Sequence, residues 1–475
     1  MAATADPLGL DLLASMQSRE GMRVLLIEPP ELFLRGEGVT RQVAPLGLGY
    51  VGAAVRDIAD VRLLLPDTRA YVGREPWVEL ARVIAQERPD VVGLTCVTAT
   101  YAVARRVAEV VRSVALDALI VLGGVHPSTL PEASLDGAPA VDVVVVGEGE
   151  GAFRELVLAR QHGRSTFEDI RGLVVRDPEG RARRTAERPL IADLDRLAPP
   201  MRDGLVWPDD IQPAFYQSIV TLRGCPYRCI YCAVPSLDSS RTRFRSPENV
   251  VEEIAWLQAQ HGLSYLFFHD SVFTLNKRRT LAICAAMAAR GLRVPFCIQT
   301  RADRIDAELM QAMCDVGLHQ VFFGIESGDV DSLRQIRKEM SLERISEAVA
   351  LVKAFGVRCS GFFMVGWPWE DADAVARTIA FAISLPLDGV SLFSATPLPG
   401  TELWELSKTS QLPESIDFRT PQINLTRMSD SEYSAAFTAA SVQVDAFNQR
   451  RMHEALALAH APVATNWQAL ADVSA

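Results

Sequence analysis

The chain has 475 residues, 49% of them hydrophobic and 23% charged, with a formal net charge of −11 at pH 7. This length and composition predict two or three folded domains with their own cores, and they exclude a disordered or fibrous protein. Because phosphate binding needs concentrated lysine and arginine, the acidic balance argues against nucleic acid as a partner.

Two further features of the whole sequence bear on where the protein works. No stretch approaches the apolar length that spans a bilayer, and the segment 1–20 carries Asp6 and Asp11 instead of a signal-peptide pattern. Outside one compact motif, the cysteines are scattered in apolar segments, which is typical of reduced, packed thiols (Cys96, Cys284, Cys297, Cys314 and Cys359). We therefore expect a soluble cytoplasmic protein with no membrane partner.

The first part of the chain alternates short apolar runs with helical patterns. Strands are predicted at 23–27, 61–65, 91–95, 118–122 and 141–146, and a helix follows Pro45. Between the third and fourth strands, the valines from Val103 to Val114 share one helical stripe. This alternation predicts an α/β domain with a doubly wound, Rossmann-like parallel sheet.

Glycine and polar residues follow the last strands of this predicted sheet, in Gly123-Gly124 and Gly147-Glu148. Such sheets bind ligands at the carboxyl ends of their strands, but glycine at a strand end is also ordinary turn chemistry. Further on, Asp177-Pro-Glu-Gly180 predicts a hairpin within a connector. We expect an N-terminal extension (1–21), a first domain (22–160), a linker (161–215), a barrel (216–401) and a helical C-terminal region (402–475).

Three cysteines lie in the run Cys225-Pro-Tyr-Arg-Cys229-Ile-Tyr-Cys232. This spacing lets soft thiolates hold three corners of a cubane 4Fe-4S cluster and leaves one iron open to another ligand. A structural zinc site is the alternative, but such sites close with four ligands in paired spacings, and no matching pair follows nearby. The loop therefore favours an iron-sulfur cluster.

From Tyr216 onward, predicted strands and helices alternate. The strands are 218–222, 265–268, 295–299, 320–324, 361–365 and 389–393, and the helices are 247–261, 276–290, 307–316, 342–355 and 371–385. Six such units make a partial (β/α)6 barrel of the TIM type, whose chemistry sits just after each strand. The region after Glu402 is mostly helical, with a candidate helix at 429–446, and we expect it to cap the open side of the barrel.

The cysteine loop, residues 223–232, resembles that of radical S-adenosylmethionine (SAM) enzymes. The resemblance implies that SAM binds the open iron through its amino and carboxylate groups, and that Tyr231 lies against the adenine. It also implies SAM contacts from three residues that follow barrel strands. These are Asp270 for the ammonium, Arg301 for the carboxylate, and Glu326, which orients SAM. Each could be a surface charge in isolation, but their order along the chain supports a SAM site.

The order of the motifs across residues 22–403 resembles cobalamin-dependent radical SAM enzymes, the class B methyltransferase group. The resemblance implies that the first domain holds cobalamin at its strand ends. The residues expected to contact it are Arg69, Thr95, Thr98, Gly123, Gly124, Ser128, Gly147 and Glu148.

One loop departs from the cobalamin proteins that place a histidine under the cobalt in Asp-x-His-x-x-Gly. It reads Asp67-Thr-Arg69-Ala-Tyr71, and a permanently protonated arginine cannot ligate a metal. Arg69 either disfavours a lower axial ligand by pointing its charge at the cobalt, or is a solvated loop cation. His126 is another conceivable ligand, although its Gly-Gly-x-His-Pro setting is common in the family without that role.

A second departure lies in the loop Gly366-Trp-Pro-Trp-Glu370, where the family more usually has a small residue after the proline. The rings of Trp367 and Trp369 either stack on a flat substrate or the corrin edge, or pack inside the protein. The sequence leaves both interpretations open.

The resemblance implies an enzyme that cleaves SAM reductively to a 5'-deoxyadenosyl radical and then methylates an unactivated carbon of a small-molecule substrate, a specialised metabolite. Its electrons would come from an external one-electron donor such as flavodoxin or ferredoxin. Two alternatives remain. A relative on the same scaffold could dehydrate, deoxygenate, cyclise or rearrange its substrate, with or without cobalamin, and a cobalamin-binding sensor could keep a relic barrel.

We expect anaerobically reconstituted protein to carry about one four-iron cluster per chain. Replacing Cys225, Cys229 or Cys232 by alanine should remove the iron and abolish SAM cleavage, because each thiolate holds one corner of the cluster. Iron analysis and the visible absorption spectrum check this. Purified protein that contains zinc and no iron would contradict the cluster assignment.

Overall fold

A computed structural model describes residues 21–30, 43–66, 75–211, 213–238, 240–407, 412–413 and 416–458. The chain divides into two compact units, Met1–Ile191 with Leu197–Gln212, and Ala192–Arg196 with Pro213–Ala475. Within the described ranges, none of the helices has the length and apolar character needed to cross a membrane.

The first unit is built on a seven-stranded sheet with the order β2-β1-β3-β4-β5-β6-β7. Its strands are β1 (Arg23–Ile27), β2 (Asp60–Leu64), β3 (Val91–Thr95), β4 (Leu119–Gly123), β5 (Val143–Val145), β6 (Leu173–Arg176) and β7 (Ala182–Arg184). Its helices are α1 (Leu46–Ala53), α2 (Pro76–Glu87), α3 (Tyr101–Val114), α4 (Val125–Thr129), α5 (Pro131–Asp136) and α6 (Gly149–Gln161). The first five strands are parallel, so the predicted doubly wound sheet is confirmed.

The valine stripe predicted for the helix after β3 packs as expected. Val103, Val107, Val110 and Val111 are buried on α3 against the sheet, while Val114 is only partly buried. Because side chains three and four residues apart share one helix face, this stripe gives α3 a single apolar side.

The segment 161–215, which we expected to be a linker, differs from that expectation. The predicted hairpin forms, and its strands β6 and β7 extend the first sheet with antiparallel pairing. The reason is burial, since Leu173, Val174 and Val175 are apolar and complete the edge next to β5. A short piece, Ala192–Arg196, belongs instead to the second unit, where Asp195 accepts a hydrogen bond from the backbone N–H of Ser246 at 2.8 Å.

The second unit contains a six-stranded, all-parallel sheet with the order β15-β14-β13-β12-β11-β8. The strands of this unit are β8 (Ser218–Ile219), β9 (Leu222–Arg223), β10 (Arg243–Phe244), β11 (Leu266–Phe268), β12 (Phe296–Thr300), β13 (Leu318–Glu326), β14 (Arg358–Val365) and β15 (Gly389–Ser394). Strands β9 and β10 pair separately as an antiparallel ribbon. The predicted partial barrel is therefore confirmed.

The helices of this unit begin where the sequence places capping residues. They are α7 (Val234–Asp238), α8 (Pro247–His261), α9 (Lys277–Ala289), α10 (Ala307–Asp315), α11 (Val330–Gln335), α12 (Leu342–Ala354), α13 (Ala372–Ser384), α14 (Glu402–Ser407) and α15 (Asp430–Leu458). Helices α8 to α13 each start after a side chain that accepts a backbone N–H in the first turn (Ser246, Asn276, Asp306, Asp329, Ser341 and Asp371). Such caps satisfy N–H groups that have no partner within the helix.

The two faces of the barrel sheet differ in burial. In β15, Val390, Leu392 and Ser394 are buried, whereas the alternate residues Ser391 and Phe393 are partly exposed. The buried face packs on the helices in the main hydrophobic core, as strand alternation requires. The other face lines the inside of the barrel.

Helix α15 lies against α13 and the edge strand β15. The amide of Asn448 accepts from the backbone N–H of Val390 at 2.9 Å and donates to its carbonyl at 2.8 Å, as a neighbouring strand would. Near the start of α15, the Tyr433 hydroxyl lies 2.7 Å from Ser394 Oγ and donates to the Val365 carbonyl at 3.3 Å. A Cβ at Gly366 would clash with this hydroxyl.

Gly366→Ala should lower the free energy of unfolding by about 2–4 kcal/mol. Gly366 has a left-handed φ of +101°, which is unfavourable for alanine, and the added Cβ would clash with the Tyr433 side chain. Urea denaturation followed by circular dichroism measures the change. Gly356→Ala is the matched control, with φ +71° and open space around its Cβ position, and it should cost only about 1 kcal/mol. Combining Gly366→Ala with Tyr433→Phe should recover part of the loss. Equal losses in the two glycine variants would contradict the steric account.

Candidate active site

The cysteine loop lies between β9 and α7 and is closed by its own backbone. The N–H of Cys232 donates to the Cys229 carbonyl at 3.1 Å, and Gly224 takes a left-handed φ of +86° just before Cys225. Burial raises the pKa of Cys225 and raises that of Cys232 to about 11. In the chain without a cluster these two thiols are therefore protonated at neutral pH, and metal binding would release their protons.

Asp270 fixes the backbone that leads into this loop. Its Oδ1 accepts from the backbone N–H of Thr221 at 2.7 Å and of Leu222 at 3.1 Å, and its Oδ2 accepts from the Thr221 hydroxyl. The residue is 1% exposed. Its carboxylate thus fixes the chain that enters β9 and the cysteine loop. The contact with the SAM ammonium that we expected for Asp270 stays a prediction.

Glu326 forms a buried ion pair with Lys338. Lys338 Nζ lies 2.9 Å from Glu326 Oε1 and also donates to the Tyr231 hydroxyl at 3.3 Å. Lys338 is 5% exposed and Glu326 is 7% exposed. Burial, followed by the nearby Glu326 carboxylate, raises the pKa of Tyr231 well above its usual value. Two residues expected to contact SAM, Tyr231 and Glu326, therefore meet at one lysine.

The backbone around Glu326 is shaped for this pair. Glu326 ends β13 with a φ of +74°, and the register with β14 shifts between Gly324 and Glu326. A Cβ at Gly324 would lie 2.7 Å from Glu326 Oε1 and 3.0 Å from Lys338 Nζ. Such a backbone conformation is costly for a residue with a side chain, and residues that adopt it cluster at functional sites.

Arg301 approaches the same lysine from β12. Its Nη2 donates to the Lys338 carbonyl at 2.7 Å, its Nε pairs with Asp303 at 2.9 Å, and its guanidinium stacks on Tyr227 at 3.8 Å. Its Nη1 is buried and has no hydrogen-bond partner among the described residues. A buried guanidinium N–H without an acceptor is unfavourable, so this atom fits a bound anionic group.

The segment 336–338 supports the cysteine loop from the other side. The N–H of Ile230 donates to the Ile336 carbonyl at 3.3 Å, and Cys229 Sγ lies 3.9 Å from the Arg337 carbonyl. The backbone N–H of Leu403, after β15, donates to the Ile230 carbonyl at 2.8 Å. Backbone hydrogen bonds from the segment 336–338 and from Leu403 therefore hold the loop.

These residues fit a cluster and SAM. Three soft thiols from one loop suit iron-sulfur ligation, and Lys338 and Arg301 both lower the pKa of Cys225 electrostatically, although burial has the larger effect. The unpartnered Nη1 of Arg301 fits the carboxylate of an amino acid group such as that of SAM.

In the Gly366–Glu370 loop, Trp367 packs inside the protein and Trp369 is partly buried against it. Trp367 is 0% exposed, its ring lies 5.6 Å from that of Tyr231, and it stacks on Trp369 at 6.1 Å. Trp369 Nε1 donates to Ser332 Oγ at 3.0 Å. Glu370 accepts from the N–H of Gly366 and from Ser332 Oγ, and burial raises its pKa to about 7. The packing interpretation is therefore the right one for Trp367.

In the first unit, several described residues expected to contact cobalamin lie at the carboxyl edge of the parallel sheet. Thr95 ends β3, Gly123 ends β4, and Gly147 and Glu148 follow β5. Ser128 Oγ donates to the Gly124 carbonyl at 2.7 Å and accepts from the Gly147 N–H at 2.9 Å.

Gly147 is uncrowded among the described residues at this edge. No described atom lies within 4 Å of a Cβ built there. Glu148 Oε2 accepts from the Ile191 N–H at 2.7 Å. Open backbone at the strand ends of such a sheet fits a large cofactor.

The structure describes only one of the two residues that we considered near the cobalt, His126. Arg69 lies outside the described residues, so its role stays a prediction. His126 is buried, stacks on Tyr101 at 4.2 Å and lies 3.3 Å from Thr98 Oγ1 through Nδ1. Burial lowers its pKa to about 4. The His126 ring therefore contacts Tyr101 and Thr98, which both belong to the first unit.

The sequence did not reveal Lys338, Tyr227 or Thr221 as site residues. Lys338 stands in Arg337-Lys338-Glu339, which looks like a solvated charge run. Both of its neighbours have left-handed φ values, +57° and +53°, which no sequence pattern here signals. Tyr227 lies within the cysteine loop, and its position between Cys225 and Cys229 could have indicated that it belongs to the site.

Comparisons with known proteins agree with these two units. The model of the radical SAM superfamily matches residues 219–382, and that of the B12 binding domain matches 36–157. The chain is 33% identical over 401 residues to an uncharacterized methyltransferase of Pyrococcus horikoshii, covering 84% of this chain and 86% of that protein.

Two further relatives carry names for different reactions. The cytidylyl-2-hydroxyethylphosphonate methyltransferase of Streptomyces wedmorensis is 27% identical over 82% of each chain. The anaerobic magnesium-protoporphyrin IX monomethyl ester cyclase of Rubrivivax gelatinosus is 28% identical, over 81% of this chain and 70% of that one.

Solved structures share the fold. The radical SAM methyltransferase TsrM from Kitasatospora setae, with cobalamin and a 4Fe-4S cluster bound, has a TM-score of 0.69 at 20% identity, over 88% of this chain and 82% of that one. The cobalamin-dependent radical SAM enzyme OxsB has a TM-score of 0.64 at 18% identity, over 91% of this chain and 56% of that one.

Asp270→Ala should prevent stable cluster assembly, because it leaves the buried N–H groups of Thr221 and Leu222 without an acceptor, at about 1–3 kcal/mol each. Asp270→Asn is the matched variant, since one amide oxygen can accept both N–H groups while its NH2 donates to the Thr221 hydroxyl. We expect Asp270→Asn to retain iron and Asp270→Ala to lose it, measured by iron content after reconstitution.

A SAM titration of Asp270→Asn separates the two roles of the carboxylate. Binding about tenfold weaker at equal iron content would support the ammonium contact, since a charge-assisted hydrogen bond is then lost. Equal iron loss in both variants would contradict the positioning role.

Proposed function

Because the chain belongs to the cobalamin-binding radical SAM enzymes, we propose that it cleaves SAM reductively at a 4Fe-4S cluster and methylates an unactivated carbon of a small-molecule substrate. Its cofactors are then the cluster held by Cys225, Cys229 and Cys232, SAM, and cobalamin at the strand ends of the first unit. The cluster and SAM supply the radical, and cobalamin supplies the methyl group.

The observation that carries the SAM assignment is the buried, unpartnered Nη1 of Arg301. Its guanidinium is already fixed by Asp303, Tyr227 and the Lys338 carbonyl, so one donor remains for the SAM carboxylate. A preorganised donor binds an anion without first having to be ordered. Tyr231 and Glu326 lie around the same lysine, where they can orient the remainder of SAM.

The protein's own residues position the reactants and limit water. Trp367 is buried next to Tyr231, and the Glu370 carboxylate holds the loop that carries it. Electrons come from an external one-electron donor such as flavodoxin or ferredoxin. We place the enzyme in the cytoplasm, where thiols stay reduced.

Cobalamin binding rests on the first unit. The open backbone at Gly147 and the strand-end residues Thr95 and Gly123 support a cofactor at this edge. Gly124 has φ +104°, and its Cβ position lies 2.5 Å from the Cys96 carbonyl oxygen, so a larger residue would disturb the edge. The match of residues 36–157 to the B12 binding domain supports the same assignment.

A reaction without methyl transfer is the second candidate, and the relative named as a cyclase favours it. A sensor with a relic barrel is less well supported, because the barrel keeps both the three cysteines and a buried ion pair whose assembly is costly.

The test uses the full chain, reconstituted anaerobically with iron, sulfide and hydroxocobalamin. We expect the absorption spectrum to show a bound corrinoid, and reduced enzyme to convert SAM to 5'-deoxyadenosine. With SAM labelled at its methyl group and a substrate, one S-adenosylhomocysteine and one 5'-deoxyadenosine should form per methylated product. SAM cleavage with unlabelled product would favour the non-methylating reaction. Corrinoid binding without SAM cleavage would favour the sensor.

Arg301→Gln provides the site-specific arm of this test. Loss of the charged donor should weaken SAM binding about tenfold to a hundredfold at equal iron content. Arg304→Gln is the matched control. Arg304 also contacts Tyr227, since its Nε donates to the Tyr227 hydroxyl at 2.5 Å, but its side chain is exposed. Equal effects of the two variants would contradict the assignment of Arg301.

A further inference from the structure

Four phenylalanines form a continuous wall on the inner face of the barrel sheet. Phe267 lies on β11, Phe322 on β13, Phe362 on β14 and Phe393 on β15. The ring centroids are 6.2 Å apart from Phe267 to Phe322, 5.7 Å from Phe322 to Phe362, and 6.2 Å from Phe362 to Phe393. The rings of Phe322 and Phe362 are nearly parallel, at 5°. The wall therefore spans most of the barrel's width.

Two rings of this wall are open to the barrel interior. Phe362 and Phe393 are partly exposed, whereas Phe267 and Phe322 are each 5% exposed, and the phenylalanines on the helix face are at most 1% exposed (Phe268, Phe296, Phe323 and Phe363). Phe267 and Phe322 form a small apolar cluster of their own with Cys297, separate from the main core. Aromatic surface left accessible on a concave face is typical of ligand sites.

His269 provides a polar group at one end of the wall. It follows Phe267 by two residues, and their rings are 4.2 Å apart. Its Nε2 is buried without a hydrogen-bond partner among the described residues. Burial lowers its pKa to about 4, so the ring is neutral at physiological pH and can offer one donor or one acceptor.

The wall leads directly to the residues assigned to SAM. Gly324 is two residues beyond Phe322 on β13, and a Cβ there would touch both Glu326 Oε1 and Lys338 Nζ. A molecule lying on Phe322 would thus be next to the Glu326–Lys338 pair. The neighbouring inner-face side chains Gln299, Met364 and Ser391 are neutral and partly exposed.

We propose that the phenylalanine wall binds a flat, neutral ring system of the substrate, and that His269 Nε2 forms a hydrogen bond with one polar group on that ring. This inference rests on the proposed function, because it names the class of substrate for the same site. Neutral rings stack well on aromatic side chains, and a single hydrogen bond fixes their orientation. His269 is then a specificity-determining residue.

The test measures binding of three ring probes to the reconstituted enzyme with SAM, by ligand-observed NMR titration. Indole carries one donor, quinoline carries one acceptor, and 1-methylindole carries neither. Phe322→Leu and Phe362→Leu should weaken all three probes by about threefold to tenfold. Phe323→Leu is the matched control, because it changes the adjacent residue on the helix face and should leave probe affinity unchanged.

His269→Leu tests the polar end. It should weaken indole or quinoline by about threefold to tenfold and leave 1-methylindole unchanged, and His269→Gln should restore part of the difference. Equal effects of Phe322→Leu and Phe323→Leu, or loss of all three probes in His269→Leu, would overturn the proposal.

A final comparison separates this inference from the proposed function. Wild-type enzyme that cleaves SAM but binds glucose 6-phosphate and none of the ring probes would overturn the substrate class alone. Wild-type enzyme that assembles its cluster and does not cleave SAM would overturn the proposed function, whatever the probes do.

Discussion

The second unit depends on the buried ion pair between Glu326 and Lys338. Removing one partner from such a pair leaves an uncompensated charge and costs about 3–5 kcal/mol, so the surrounding chain must hold both. Gly324 leaves room for the two charged groups, and Glu326 accepts a left-handed backbone to reach the lysine. Arg301 binds the lysine's own carbonyl, and Tyr231 binds its ammonium. The pair thus connects three barrel segments to the cysteine loop.

This pair also divides the barrel into two regions. On one side, Asp270 and the segment 336–338 fix the backbone that carries the cysteines. On the other side, the inner face of the sheet continues downward through Phe322 to the phenylalanine wall. The strand period of two places the phenylalanine wall inside the barrel, because it sends alternate residues to the helices and to the barrel interior. The sites proposed for cluster, SAM and substrate are therefore neighbours on one side of the same sheet.

Much of the fold was predictable because its signals are local. A strand at 23–27 and a helix at 247–261 were placed correctly from the alternation of apolar and helical patterns in the sequence. The hairpin at Asp177–Gly180 was also predicted, but its membership in the first sheet was not. Which sheet a hairpin joins depends on the burial of Leu173 to Val175 against β5, and that is a contact between distant segments.

The sequence by itself predicted the cluster ligands and determined the order of the strand-end residues, because cysteine spacing and strand alternation are written in consecutive positions. Only the tertiary structure decided what Lys338, Asp270 and Trp367 do. Lys338 stands in a charge run, yet left-handed residues on both sides place it in the interior beside Glu326. Asp270 acts on Thr221 and Leu222, and Trp367 is buried beside Tyr231. Each role depends on groups far apart in the chain, and burial alone gives their charges and hydrogen bonds their strength.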